Sequence, residues 1–152
     1  MFYAALLAAV LLANGLAAGV LTASELGPVP HLARLPADQY VQAHAFYSRR
    51  FDPFMPICLI ATMIGELVLT ATGSGLLDRV LPGVGLVCVV TAFVIAVTRN
   101  VPLNVWVRTA DPHDPPPDWQ ARRTAWNEWN RRRCILVVTA LVANCATVVA
   151  VQ

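Results

Sequence analysis

Four long apolar stretches alternate with polar segments along the chain. They cover residues 2–22, 53–72, 80–98 and 134–151, and Glu66 is the only carboxylate or arginine within them. A helix needs about 20 apolar residues to cross a hydrocarbon core of about 30 Å. The stretches lack the alternation of barrel strands, and only helices or closed barrels satisfy the backbone in lipid. The pattern therefore predicts an all-α integral membrane protein, a four-helix bundle in a single domain of residues 1–152.

The first apolar stretch has a second interpretation, as a cleaved signal peptide. No positively charged residue precedes its apolar part, which is longer than the about 7–15 residues of a signal-peptide core. It also carries Gly15 and Gly19 at the GxxxG spacing that lets helices approach closely in lipid. We therefore expect this stretch to be retained as the first span.

The two longest polar segments contain helix signals. Asp52 and Pro53 have the residue types of an N-cap and a first helical position, so the second span is expected to begin there. Before them, residues 35–50 predict a short interfacial helix in the first long loop. Residues 111–118 include four prolines and predict an exposed loop, after which a helix is expected to run from Trp119 into the fourth span.

Glycine and proline mark two further connections. Residues 27–30 have the sequence Gly-Pro-Val-Pro and predict a rigid loop after the first span. Residues 73–75 together with Pro82 and Gly83 predict a tight connection between the second and third spans.

Composition agrees with a membrane protein. Of 152 residues, 57% are hydrophobic and 13% charged, with a mean hydropathy of +0.60, whereas soluble domains are about 45–50% apolar and about 25% charged. The net charge of +2 argues against a nucleic-acid partner. The four cysteines have no CxxC spacing and lie in or beside apolar stretches, so we expect buried thiols rather than disulfides or a zinc site.

Arginine placement predicts the orientation in the cell membrane. All 11 basic residues are arginine, and ten of them fall in segments 23–52 and 99–133, which lie on one side of a four-span protein. Only Arg79 lies on the other side. Because loops rich in arginine stay in the cytoplasm, both long loops are expected to be cytoplasmic and both termini outside.

Polar side chains also converge in these two segments. Trp126, Asn130 and Arg133 share one face of a helix at spacing i, i+4, i+7, and Asn100 and Asn104 lie four apart where the third span ends.

The functional interpretation is a polar pocket at the cytoplasmic mouth of the bundle. The asparagines and Arg133 would hold developing negative charge and His44 would move protons, while Trp126, Tyr47 and Arg108 would bind the substrate. The structural alternative is that asparagines cap helices, arginines snorkel to headgroups and tryptophans anchor the protein in the interface.

Three other ionisable residues have open roles. Glu25 and His31 are usable metal ligands with His44, although no helical spacing connects any two of them, so iron or copper held by His44 with Glu25 or His31 is an alternative to a metal-free site. Glu66 lies about 33 Å from His44 along a continuous helix and cannot share a small site with it. It is either a proton-handling group or a hydrogen-bonded structural residue.

These motifs resemble the anthrone-oxygenase-like family. The resemblance rests on Asn100-Val101-Pro102-Leu103-Asn104 after an apolar span and on Trp126, Asn130 and Arg133 at the start of another, with residues 27–30 and 35–40 also similar. It implies a four-span membrane protein that oxidises anthrones to anthraquinones with dioxygen as co-substrate. The motif positions it carries over are Asn100, Pro102, Asn104, Trp126, Asn130 and Arg133.

We therefore predict a membrane-embedded oxygenase that acts on a lipophilic, aromatic or polyketide-derived small molecule. An electron-rich anthrone anion reacts with dioxygen without a cofactor, so the chemistry does not require a metal. The alternative is a non-catalytic membrane protein, such as a transporter subunit, a small-molecule binder or an assembly factor. The expected partners are the lipid bilayer and the substrate. A second copy of the chain, in a homo-oligomer, is a possible further partner that the sequence does not decide.

Overall fold

The computed structural model describes residues 1–150, whose regular structure is entirely helical. The helices are α1 (Phe2–Leu26), α2 (Pro28–Leu32), α3 (Ala37–Phe51), α4 (Phe54–Thr72), α5 (Leu76–Ile95), α6 (Val101–Thr109) and α7 (Trp119–Ala150). A π-helical turn, Ala96–Asn100, joins α5 to α6 without a break. Four helical stretches are long and apolar enough to span a membrane: Phe2–Leu32, Phe54–Thr72, Leu76–Thr109 and Trp119–Ala150. The predicted all-α class with four spans is confirmed.

The four long helices form a closed bundle in which α1 and α5 each pack against both α4 and α7. Small residues dominate the centre, where Ala17 and Ala18 of α1 meet Ala92 of α5 and Ala140 of α7. Such residues let helices approach closely in lipid, where dispersion rather than water exclusion holds them together. Large aliphatic side chains of the same helices point outward and are exposed, as expected for a lipid-facing surface.

Three of the helical stretches are longer than a hydrocarbon core requires, and the two longest build one end of the bundle. Leu76–Thr109 has 34 residues and Trp119–Ala150 has 32, which correspond to about 50 Å at about 1.5 Å per residue. A hydrocarbon core of about 30 Å leaves part of each outside. Helix α3 packs against the protruding α6, so α3, α6 and the first half of α7 build a polar cap at one end of the bundle.

The predicted interfacial helix at 35–50 corresponds to α3, and the loop at 111–118 and the helix from Trp119 are also found. The start of the second span differs by one residue. Pro53 occupies the N-cap of α4 and no side chain caps that helix. Asp52 was expected to be this cap, but its carboxylate accepts hydrogen bonds from Asn104 and Arg108 of α6 instead.

The two predictions from glycine and proline were partly wrong. Residues 28–32 form the short helix α2, because its prolines lie in the first turn, where the missing N–H costs nothing. Pro82 and Gly83 lie inside α5, and only residues 73–75 connect the spans. The carboxylate of Asp78 accepts a hydrogen bond from the backbone N–H of Gly75, which starts α5 before the proline is reached.

The GxxxG glycines do not make the close helix contact that their spacing suggested. A Cβ added at Gly15 or Gly19 would meet no atom of the chain within 4 Å. The close approaches lie instead at Gly65, where α4 meets Val10 of α1, and at Gly85, which packs against the carboxyl of Glu66. The bundle therefore uses isolated glycines on α4 and α5 rather than the stripe on α1.

Candidate functional site

A cavity of about 340 Å³ lies where the bundle meets the polar cap. Its walls are apolar on the bundle side, where Leu21, Met55, Leu59 and Phe93 line it. Apart from Ser24 of α1, its polar side chains come from the cap. They are His44 and Ser48 from α3, Asn100, Asn104 and Arg108 around α6, and Trp126, Asn130 and Arg133 from α7, with Asp52 between α3 and α4.

The Asn104 side chain connects three elements of the cap. Its Oδ1 accepts a hydrogen bond of 2.7 Å from Trp126 Nε1 on α7 and lies 3.3 Å from His44 Nε2 on α3. Its Nδ2 donates to Asp52 Oδ1 at 2.8 Å. An indole N–H only donates and a carboxylate only accepts, so these two partners determine the orientation of the amide. Asn104 therefore ties α3 and α7 to α6 at the cavity wall.

This orientation also determines which nitrogen of His44 carries the proton. Because Asn104 Oδ1 is an acceptor, His44 Nε2 must be its donor, and Nδ1 is then the acceptor of a 2.9 Å hydrogen bond from the Tyr40 hydroxyl. Burial lowers the pKa of His44 to about 4, opposed by the hydrogen bond with Asn104 and assisted by the Arg108 charge. The imidazole is therefore neutral at pH 7, and the lone pair on Nδ1, its one acceptor position, already accepts the hydrogen bond from Tyr40.

Tyr40 completes this chain of hydrogen bonds. Its side chain is buried, and burial raises the pKa of its hydroxyl, although the nearby Arg123 guanidinium acts in the opposite direction. The hydroxyl therefore stays protonated and remains a donor to His44. Arg123 in turn donates to the backbone oxygens of Leu32 and Leu35, which attaches α7 to the loop before α3.

Asp52 is the carboxylate of the cavity wall. Its Oδ2 accepts from Arg108 at 2.6 Å, and its Oδ1 accepts from Asn104. A carboxylate has about four acceptor positions, so two remain free for a ligand. Its side chain is about a quarter exposed (26%), which keeps it reachable.

Arg133 is the buried cation of the cavity. It is 7% exposed, and its Nε has no hydrogen-bond partner. Two ion pairs occur within residues 1–150, Arg108 with Asp52 and Arg122 with Asp118, and neither includes Arg133. The Asp52 carboxylate of the same cavity attracts the guanidinium from beyond salt-bridge distance, and a buried charge without a close, hydrogen-bonded partner is costly. The arrangement therefore fits a ligand that supplies negative charge.

Two asparagines stand beside this cation. Asn130, one turn before Arg133, donates to Glu25 Oε1 at 2.6 Å. Asn100 donates to the backbone oxygen of Trp126 at 3.2 Å, while its Oδ1 is buried without a partner. Asn100 ends the π-helical turn, a distortion frequent at functional sites because it redirects side chains.

The structure brings together most of the predicted site residues. The cavity is lined by His44, Tyr47, Asn100, Asn104, Arg108, Trp126, Asn130 and Arg133. The proposed metal ligands are not assembled in this way. His31 is exposed on α2, Glu25 contacts Asn130, and both nitrogens of His44 have protein partners. Within residues 1–150 no three His, Cys, Asp or Glu side chains are grouped to hold a metal ion, so these residues do not fit a metal centre.

Sequence reasoning did not include Asp52 among the site residues, although it lines the cavity, and it missed the contact between Tyr40 and His44. Tyr40, His44 and Ser48 follow one another at four-residue spacing, and Asp52 continues the series. This spacing places them on one helix face. This four-residue series could have indicated that Asp52 faces the same way as His44, but Asp52 precedes a proline and was therefore interpreted as a helix cap.

Glu66 lies apart from the cavity, as its distance along the helix predicted. Its carboxyl is fully buried in the bundle, and Oε1 accepts a 2.8 Å hydrogen bond from Asn144 of α7. A cross-helix hydrogen bond of this kind satisfies one oxygen of the carboxyl, whereas Oε2 is buried with no partner among the described residues. Glu66 therefore has a structural partner on α7.

The family model of anthrone oxygenase matches residues 43–143, more than half of the chain. The chain belongs to the anthrone oxygenase family. The match begins one residue before His44 and includes Asn104 and Arg133, so it covers the polar cavity side chains of α3, α6 and α7. Neither the curated proteins nor the solved structures contain a match to this family member.

Proposed function

We propose that the protein is a membrane-embedded oxygenase that converts a lipophilic aromatic substrate of the anthrone type into the corresponding quinone. The observation that carries the proposal is Arg133, a buried cation without a carboxylate partner at the wall of a largely apolar cavity. Ligand pockets for small molecules are about 300–1,000 Å³, and a cavity of about 340 Å³ suits a compact ring system. Family membership supports oxygenase chemistry in this pocket.

The chemistry begins with loss of a proton from the acidic methylene carbon of the substrate. The resulting anion places negative charge on its oxygen, where Arg133 and the amide of Asn130 stabilise it. Dioxygen then reacts with the electron-rich carbon. One oxygen atom becomes the new carbonyl, the carbon loses both hydrogens, and the other oxygen atom leaves as water. Dioxygen is the only oxidant, and no external reductant is consumed.

Two residues are candidates to accept the first proton. His44 was predicted for this role from the sequence, but its free lone pair already accepts from Tyr40 and its pKa is lowered to about 4. Asp52 lines the same cavity and keeps free acceptor positions. The hydrogen bonds therefore favour Asp52 as the base, with His44 as the residue that positions Asn104.

The substrate would reach the site from within the bilayer. Pro56 of α4, Val97 of the π-helical turn and Val101 just after it line the cavity and are also exposed on the outer surface of the bundle. An apolar molecule dissolved in lipid would thus pass between α4 and α5. By the distribution of arginines this end of the bundle faces the cytoplasm.

The test is dioxygen uptake by the detergent-purified protein with a hydroxyanthrone, together with optical detection of the anthraquinone. Arg133→Gln keeps hydrogen-bonding capacity without the charge and is expected to lower turnover by about 100-fold or more, because one buried stabilising donor is worth about 10²–10³ in rate. The matched control is Arg132→Gln, since Arg132 is the neighbouring residue and is exposed.

Equal turnover in the wild type and in folded Arg133→Gln protein would overturn the proposed role of Arg133. Tight binding of the anthrone without any dioxygen uptake would instead support the alternative of a non-catalytic small-molecule binder.

A further inference from the structure

A second depression, of about 460 Å³, lies on the outer side of α3 and is separate from the proposed oxygenase site. Its floor is apolar and consists of α3 residues Val41 and Ala45 together with Val107, Ala110 and Pro112 at and after α6. Its rim carries Gln42, Phe46, Arg49, Arg50 and Arg108. None of these lining residues is acidic.

The positive charge of this rim is not neutralised by the protein. Arg108 is paired with Asp52, but Arg49 and Arg50 are exposed and take part in neither ion pair of residues 1–150. The Arg50 guanidinium lies over the ring of Phe46, with its carbon 3.9 Å from the ring centroid. Stacking of this kind limits the positions open to the arginine. The groove thus presents two unpaired guanidinium groups above an apolar floor.

The position along the chain puts these charges at the membrane surface. Arg49 and Arg50 precede Phe54, the first residue of α4, by no more than five residues. At about 1.5 Å per residue this is less than about 8 Å along the helix axis. The groove therefore opens at the level of the lipid headgroups rather than in the aqueous phase.

We propose that this groove binds the headgroup of an anionic phospholipid. Guanidinium groups recognise phosphate through paired hydrogen bonds, so Arg49 and Arg50 would hold the phosphodiester while the rest of the headgroup lies over the floor formed by Ala45 and Val107. Anionic lipids are enriched in the cytoplasmic leaflet, the side on which the arginine distribution places this groove. Free phosphate shares the anionic group but lacks both the rest of the headgroup and the acyl chains that hold a lipid at the membrane surface.

The experiment measures thermal unfolding of the full-length protein in a neutral detergent. Three additives are compared: micellar phosphatidylglycerol, phosphatidylcholine and inorganic phosphate. We expect phosphatidylglycerol to raise the midpoint temperature of the wild type, whereas the other two leave it unchanged. The same samples in native mass spectrometry should retain one phosphatidylglycerol molecule more firmly than the rest.

Two matched pairs of arginines separate the groove from a general effect of charge. Arg49→Gln/Arg50→Gln should lose the temperature shift and the retained lipid, whereas Arg131→Gln/Arg132→Gln, a second exposed pair, should keep both. Gln42→Glu adds a negative charge to the rim at an exposed position, so it should weaken the shift while the protein stays folded.

An equal loss in both arginine pairs, or a shift produced by inorganic phosphate alone, would overturn the proposal. Because none of the substituted residues lines the oxygenase cavity, turnover is a separate readout. Failure of the lipid proposal would leave the proposed oxygenase function unaffected.

Discussion

Replacement of Arg133 by methionine is expected to stabilise the protein while it abolishes turnover. The guanidinium is buried, its Nε has no partner among the described residues, and no carboxylate of residues 1–150 forms a salt bridge with it. Methionine is similar in length, is apolar and leaves no unsatisfied donor. Under the proposed function, the substitution therefore removes a group that serves the ligand rather than the fold.

The magnitude follows from the cost of the orphaned donor. One buried, unsatisfied polar group costs about 1–3 kcal/mol. For a protein of about 150 residues, 1 kcal/mol corresponds to about 2–4 °C in the midpoint of thermal unfolding. We therefore expect Arg133→Met to raise that midpoint by several degrees, on the order of 2–12 °C.

The assay is thermal unfolding in detergent without substrate, with Arg132→Met as the matched control. Arg132 is exposed and stacks on Trp129, and surface substitutions change the free energy of unfolding by about 0.5 kcal/mol or less. A lower midpoint for Arg133→Met than for the wild type would refute the reasoning, because it would show that the guanidinium supports the folded state.

Three other predictions test the site and the bundle. Asp52→Asn should lower anthrone turnover by about 100-fold or more, because it removes the proposed general base, and His44→Asn should lower turnover less. A larger loss of turnover in folded His44→Asn protein than in Asp52→Asn protein would assign the base to His44. The pKa of His44 in the folded protein is about 4, below its ordinary 6.5. The contribution of His44 to the free energy of unfolding is therefore fully present above pH 6.5 and falls by up to about 1.4 kcal/mol per pH unit between pH 6.5 and 4. His44→Asn should flatten this slope in unfolding curves measured across that range. Gly85→Ala would drive a methyl group into the Glu66 carboxyl and should destabilise the bundle by about 1–3 kcal/mol; an unchanged unfolding midpoint would show that this contact relaxes freely.

The sequence by itself determined the elements of this protein, because their signals are local. Hydrophobic length specifies the four spans, since only helices of about 20 residues satisfy the backbone in lipid. The proline-rich segment at 111–118 could not be helical, and the spacing of Trp126, Asn130 and Arg133 placed them on one helix face, which is the face that lines the cavity. The family motif also lies in this local pattern.

Only the tertiary structure decided what those residues touch. The partner of His44 lies 60 positions away at Asn104, and the partners of Asp52 lie 52 and 56 positions away on α6. No local pattern specifies such pairs, because they depend on how the helices pack. For the same reason Asp52 looked like a helix cap, and Gly15 and Gly19 looked like a packing face. The burial of Arg133 without a salt bridge depends on the packing of the bundle against its cap, so it cannot be read from the sequence alone.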